Sequence, residues 1–202
     1  MREWWELRPT AFINFLIFII MNELKFNPAV TAIRRKTLSA PIAWLIQHHY
    51  LSSGQSKILD YGCGYGSDVR LLREWNKDLY VEGYDPYYNR IDLGDTFYDV
   101  VLCTFVLNVV NVDEQNDILK KIWRQLKANG QLFITVRRDV APGTTRFERS
   151  NGTYHIQRFV ELDLKYFKVL YSNSKFAIYY VNERNLLLYL DNMDLLGIDE
   201  EG

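Results

Sequence analysis

Asp60, Gly62, Gly64 and Gly66 stand at alternate positions, where the apolar run Lys57-Ile-Leu ends in an acid and a glycine turn follows. Glycine reaches positive φ without steric cost and lets a ligand approach the backbone. The free N–H groups of a helix opening at Ser67 would add a weak positive field. Such a turn suits the holding of a nucleotide. A dinucleotide-binding fingerprint needs a third glycine where Ser67 stands, so a nicotinamide-dependent dehydrogenase is disfavoured. About 20 residues on, a second apolar run ends in Asp85-Pro86, and an acid at that place accepts both hydroxyls of a ribose.

These residues need strands to carry them and helices to cover the strands. The spacing predicts a helix after Gly66, capped by Ser67, with Val69, Leu72 and Trp75 on one side. A strand over Leu79–Asp85 follows, then a stronger one over Phe97–Leu107 that carries Cys103, Thr104 and Phe105. Asp113 to Ala128 reads as the clearest helix, capped by Asp113, striped by Ile118, Leu119, Ile122 and Leu126, and stopped by Asn129-Gly130. The strand Gln131–Val136 comes next.

Between Asp85 and Phe97 the chain is too short for a helix and a further strand, since a crossover takes about a dozen residues. Either that strand is missing or the segment is an extended loop, with Asp92 and Asp95 as substitute base contacts. Beyond Val136, Arg137-Arg138 lead into a loop holding Pro142, Gly143, Arg146, Arg149 and Gly152, of the kind that shapes a substrate pocket. Leu164–Tyr171 and Phe176–Val181 read as a terminal antiparallel pair. The Leu-rich tail from Asn185 is a packing helix or an oligomer contact.

Ahead of the glycine turn, residues 27–52 form a helical segment. Ala29, Ala32 and Ile33 recur at helical spacing, and a second helix begins at Pro41 with Ser39 near its cap. Arg34-Arg35-Lys36 lie between the two, as a solvated face or as a source of one arginine for an anionic group. His48-His49 suit the helix end.

The chain has 202 residues, 48% hydrophobic and 24% charged, which fits one folded domain over 21–202. A net charge of −1 excludes a global field for nucleic acid or anionic membrane. The two cysteines, Cys63 and Cys103, form no disulfide framework, which points to a reducing cytoplasm. No Cys/His cluster has metal-ligand spacing. Residues 1–20 are a hydrophobic extension, too short for a membrane span of about 20 apolar residues. Either Met21 is the biological start, or this extension packs on the domain as a helix.

Asp60-Tyr-Gly-Cys-Gly-Tyr-Gly66, the acid Asp85, the strand at Phe97–Leu107 and the helix and strand after it resemble, in order, class I S-adenosylmethionine-dependent methyltransferases from Lys57 to Val136. The resemblance implies an α/β fold: a Rossmann-like sheet with helices on both faces, trimmed around the third strand and ending in the antiparallel pair. It implies S-adenosylmethionine as cofactor. Asp60, Gly62, Cys63 and Gly64 would meet its methionine part and Asp85-Pro86 its ribose. Cys103, Thr104 and Phe105 would lie at the methyl donor, with Phe105 covering it.

Arg34, Asn108 and Arg137 are the candidate substrate contacts; Asn108 serves equally as a turn or capping residue, and no general base stands out. Asp85-Pro-Tyr-Tyr88 is also close to the amine-holding motif of DNA amino-methyltransferases. That motif belongs at the fourth strand, so Asp85 is assigned to the ribose. A narrower resemblance, carried by Thr31–Pro41, Asp60–Gly64, Asp85-Pro86 and Phe105–Val110, is to the methyltransferases associated with DNA phosphorothioation. The leading expectation is a nucleic-acid or nucleotide-related acceptor. The alternatives are a small-molecule acceptor or a scaffold that kept the fold and lost transfer.

Overall fold

The computed structural model describes residues 27–51, 56–150 and 153–197, without the side chains of Arg149 and of residues 194–197. The hydrophobic extension at 1–20 lies outside the described residues. Strands β1 (Lys57–Tyr61), β2 (Tyr80–Tyr84), β3 (Tyr98–Thr104), β4 (Leu126–Arg137), β7 (Lys168–Ser172) and β8 (Phe176–Asn182) form one sheet in the order β2-β1-β3-β4-β8-β7. The first four run parallel, whereas β8 is antiparallel to both β4 and β7.

Helices cover both faces, which is why the parallel strands read as continuous apolar runs. In β3, Val100 and Leu102 pack with Ile42 and Leu45 of α1 (Ala40–Gln47) and with Val69 and Leu72 of α2 (Ser67–Trp75). Val101 and Cys103 face the other way, onto Leu119 and Ile122 of α3 (Val112–Trp123) and Leu186 and Leu190 of α4 (Glu183–Gly197). The Leu-rich tail is thus a packing helix. The expected terminal antiparallel pair is β7–β8.

Among the described residues no strand lies between β2 and β3, so the sheet is trimmed as expected and β2 is its edge. After β2 the chain turns back at once: Asp85 and Asn89 exchange backbone hydrogen bonds of 3.0 and 3.2 Å.

Several local expectations are corrected. Ala29, Ala32 and Ile33 do not lie on one helix; only a 3₁₀ turn forms, Pro28–Thr31, and Ile33 is exposed. Gly66, in the left-handed region, caps α2 in place of Ser67, whose Oγ accepts from the Arg35 N–H at 3.0 Å. Trp75 lies off the buried stripe of that helix, largely exposed. Asn111, not Asp113, caps α3 through a reciprocal capping box with Glu114.

That helix ends at Trp123, because β4 has already begun at Leu126. Asn129-Gly130 sit in an irregularity of β4, where the register against β3 slips between Tyr98 and Val100. The region read as a loop holds a hairpin, β5 (Thr145–Ser150) and β6 (Thr153–Arg158). Its inward face carries His155 and Gln157 rather than apolar residues, so the strand period was hidden in the sequence.

Candidate functional site

A cleft of about 1150 Å³ opens where β1, β2 and β3 end. Ordinary small-molecule sites measure roughly 300–1,000 Å³, so it has room for more than one ligand. Asp60, Gly62, Cys63 and Gly64 line it from β1 and the glycine turn, and Asp85 and Pro86 from the end of β2. Thr104 and Phe105 contribute from the end of β3, and Arg137 from the end of β4. Nine residues singled out in the sequence, from spacing or from the resemblance, therefore line one cleft.

The glycine turn is tied to the end of β2 by its own N–H groups. Its Gly62 and Cys63 N–H groups both donate to Tyr84 O, at 2.7 and 3.1 Å. The Gly64 N–H donates to Asp85 Oδ2 at 2.9 Å. The turn is thereby hung on the end of β2. Gly62 has φ +80°, and a Cβ there would lie 2.3 Å from Val106 Cγ2.

Asp85 Oδ1 accepts from the N–H groups of Tyr87 and Tyr88 at 2.8 and 3.0 Å. A carboxylate offers about four acceptor positions, so this one keeps a single free position, on Oδ2. Neither Asp92 nor Asp95 reaches the cleft, and Asp92 Oδ1 instead accepts from the Gly94 N–H.

Acidic charge collects behind the turn. Asp68, in the first turn of α2, accepts from the Ser39 N–H at 2.8 Å and lies 3.9 Å from Arg35. Asp60 has no side-chain hydrogen bond among the described residues. Burial, with Asp68 and then Asp85 adding repulsion and Arg35 opposing, pushes its carboxyl up to about 8. Ser39 Oγ, in a residue only 4% exposed, also lacks a partner. Arg35, Ser39, Asp60, Asp68 and Asp85 all line the cleft, and buried polar groups without partners suit a ligand that brings a cation and further polar atoms. Burial, with Asp60 and Asp85 adding, pushes the Cys63 thiol up to about 12, so it is no nucleophile at neutral pH.

Three expected site residues lie elsewhere. Cys103 is fully buried on the opposite face of β3, because alternation along the strand sends it into the α3–α4 core. Arg34 stacks over Tyr65, 4.1 Å from the ring centre, outside the cleft. Asn108 is fully buried and bonded at both ends of its amide, where Nδ2 donates to Arg158 O at 2.7 Å and Oδ1 accepts from the Arg137 N–H at 2.9 Å. It ties β4, β6 and the 3₁₀ turn Leu107–Val109 together. Asn108→Ala should therefore cost stability rather than chemistry. Each group left unpaired costs about 1–3 kcal/mol, and urea melts of the two proteins read the loss directly.

Of those that do line the cleft, Phe105 holds φ +61°, a conformation rare for an aromatic residue, and its ring meets Phe176 edge-on. Arg137 Nε donates to Asp139 Oδ1 at 2.7 Å, so the cation is already paired. The cleft residues Asp68 and Gln157 were not anticipated. A first-turn acid at Asp68 was readable as a helix-dipole residue only. Nothing in the sequence marked Gln157.

The family model for a methyltransferase domain matches residues 32–181. Among solved structures, 1,6-didemethyltoxoflavin-N1-methyltransferase from Burkholderia thailandensis, bound to 1,6-didemethyltoxoflavin and S-adenosylhomocysteine, is 16% identical with a TM-score of 0.49, over 71% of this chain and 76% of that one. Magnesium protoporphyrin IX methyltransferase from Synechocystis PCC 6803, bound to S-adenosylhomocysteine, is 18% identical with a TM-score of 0.47, over 71% of this chain and 80% of that one. PKMT2 from Rickettsia typhi is 20% identical with a TM-score of 0.36, and the match covers 41% of this chain but only 21% of that protein. No curated protein sequence matches the chain.

Proposed function

The chain belongs to the methyltransferase-domain family, matched over residues 32–181, and from that membership we propose that it methylates a small molecule held in the cleft, using S-adenosylmethionine. When bound, that cofactor supplies an electrophilic methyl group on a sulfonium. The residues present fit it. Asp85 offers one free acceptor position for a ribose hydroxyl. Asp60 and Asp68 suit the cationic end of the amino-acid part, with Arg35 beside them for its carboxylate. The orphaned Ser39 hydroxyl gains a partner. Phe105 and Val106 wall the cleft at the end of β3. The chain's contribution to transfer is then alignment of the nucleophile and exclusion of water.

The single observation carrying the acceptor class is that Arg34, Arg137, Arg138 and Arg146 are already engaged within the chain, while Lys121 and Lys175 also line the cleft. Arg137 pairs with Asp139 and Arg146 with Glu148. Arg138 Nη1 donates to Val160 O at 2.8 Å, and Arg34 lies on Tyr65. A nucleic-acid acceptor, in line with the narrower resemblance, needs such cations free for phosphates.

Calorimetric titration of S-adenosylmethionine and S-adenosylhomocysteine into wild type and Asp85→Ala tests the reading, followed by labelled methyl transfer to metabolite mixtures and to DNA. Micromolar cofactor binding lost in the variant, with salt-insensitive transfer to a small molecule, is the expected result. A folded wild type that binds neither compound removes the methyltransferase reading. Transfer to duplex DNA whose log affinity falls by about 0.9 per phosphate contact against log salt changes the acceptor class.

A further inference from the structure

Strand β6 is fixed at both ends. At one end the Asn27 N–H donates to Tyr154 O at 3.1 Å, next to the 3₁₀ turn Pro28–Thr31. At the other, Asn108 Nδ2 donates to Arg158 O. Pro28 and Val109, one beside each anchor, line the cleft. Between the anchors Gln157 alternates inward; it lines the cleft and is only 5% exposed. Its Oε1 is buried and has no hydrogen-bond partner among the described residues.

A buried amide oxygen without a partner is costly to keep and accepts only from donors. Val109, Val110 and Ile118 also line the cleft, together with Glu114, Asp117 and Lys121 of α3 and the pair Arg137–Asp139. A buried acceptor without a partner in a binding cleft selects a ligand that brings it a donor. We propose that Gln157 recognises the methyl acceptor: its Oε1 takes a hydrogen bond from an N–H or O–H of a small molecule. The assignment rests on the small-molecule methyltransferase reading and deepens it. Gln157 is a positioning residue here, since it orients the acceptor and leaves bond making to the acceptor's own lone pair.

The test uses protein loaded with S-adenosylhomocysteine and two planar probes of similar shape. Benzamide carries N–H donors and methyl benzoate carries none. Wild type should bind benzamide about 5- to 10-fold more tightly than methyl benzoate, as expected for one such hydrogen bond. Gln157→Met, of similar length but apolar, should abolish that preference. Gln157→Glu, which keeps an acceptor oxygen, should retain it, and all three proteins should bind S-adenosylhomocysteine alike.

Equal affinity of wild type for both probes, no binding of benzamide, or a preference that survives in Gln157→Met overturns the assignment. Each of those results leaves the methyltransferase reading standing. A folded wild type that does not take up S-adenosylhomocysteine fails the reading itself. Because Gln157→Glu is scored on its own against wild type, poor folding of Gln157→Met does not protect the proposal.

Discussion

Gly62→Ala should abolish cofactor binding and lower stability more than an alanine at any other position of the turn. Two costs add at this site. The backbone at φ +80° lies in the left-handed region, where a side chain costs roughly 1–2 kcal/mol. The new Cβ would also meet Val106 Cγ2 at 2.3 Å, far inside the carbon contact distance of about 3.5–4.0 Å. Overpacking of that kind costs about 1–3 kcal/mol. Relief of the overlap must move either the turn or the segment after β3, and both line the cleft.

Gly66→Ala separates the two costs. It shares a positive φ, +70°, but its Cβ would meet nothing within 4 Å. Strain alone should then appear, with the cofactor still bound. Gly62→Ala combined with Val106→Ala should recover the packing part. A double-mutant cycle in urea should show a favourable coupling of about 1–3 kcal/mol, the size of the relieved overlap. Additive losses, with no coupling, would show that Val106 does not limit the turn.

The second large effect is a trade between stability and binding at Asp60. Its carboxyl titrates at about 8 in the folded protein against an ordinary 3.8, mainly through burial. Between those values the folded state holds a proton that the unfolded chain has released. Stability contributed by this group is therefore greatest at low pH and falls as pH rises from about 4 to about 8. Asp60→Asn removes the titration. Its melting temperature should exceed that of wild type by a margin that grows across this window. An equal margin at pH values at the two ends of the window would refute the buried-carboxyl account.

The gain in stability should carry a loss in affinity. A cationic ligand group beside Asp60 favours its ionised form, so binding near neutral pH should release a proton from it. Calorimetry in buffers of different ionisation enthalpy reads that proton directly. Asp60→Asn should lose it and bind S-adenosylmethionine about 10- to 100-fold more weakly, the range for one charge-assisted hydrogen bond. The same proton release in wild type and variant would assign it to another group.

What the sequence determined by itself was the part of the molecule set by local pattern. Continuous apolar runs bounded by turn signals read as strands buried on both faces, and alternate glycines after Asp60 read as a turn. Eleven residues from Pro86 to Thr96 could not hold a helix and a strand, and the edge position of β2 follows from that shortage. Those constraints singled out Asp60, Gly62, Gly64 and Asp85, all of which line one cleft.

The tertiary structure decided everything that depends on which way a side chain faces and what it meets. Cys103 and Thr104 are neighbours in sequence, yet only one of them reaches the cleft, because a strand sends successive residues to opposite faces. Asn108 looked free to meet a substrate until Arg137 and Arg158, 29 and 50 residues away, were seen to take both ends of its amide. The β5–β6 hairpin was invisible because its inward positions are polar, and a strand's period can be read only when one face is apolar. The same polar inward face brings Gln157 into the cleft. A residue of that kind is recognisable only by its missing partner, and a missing partner is a property of the folded chain.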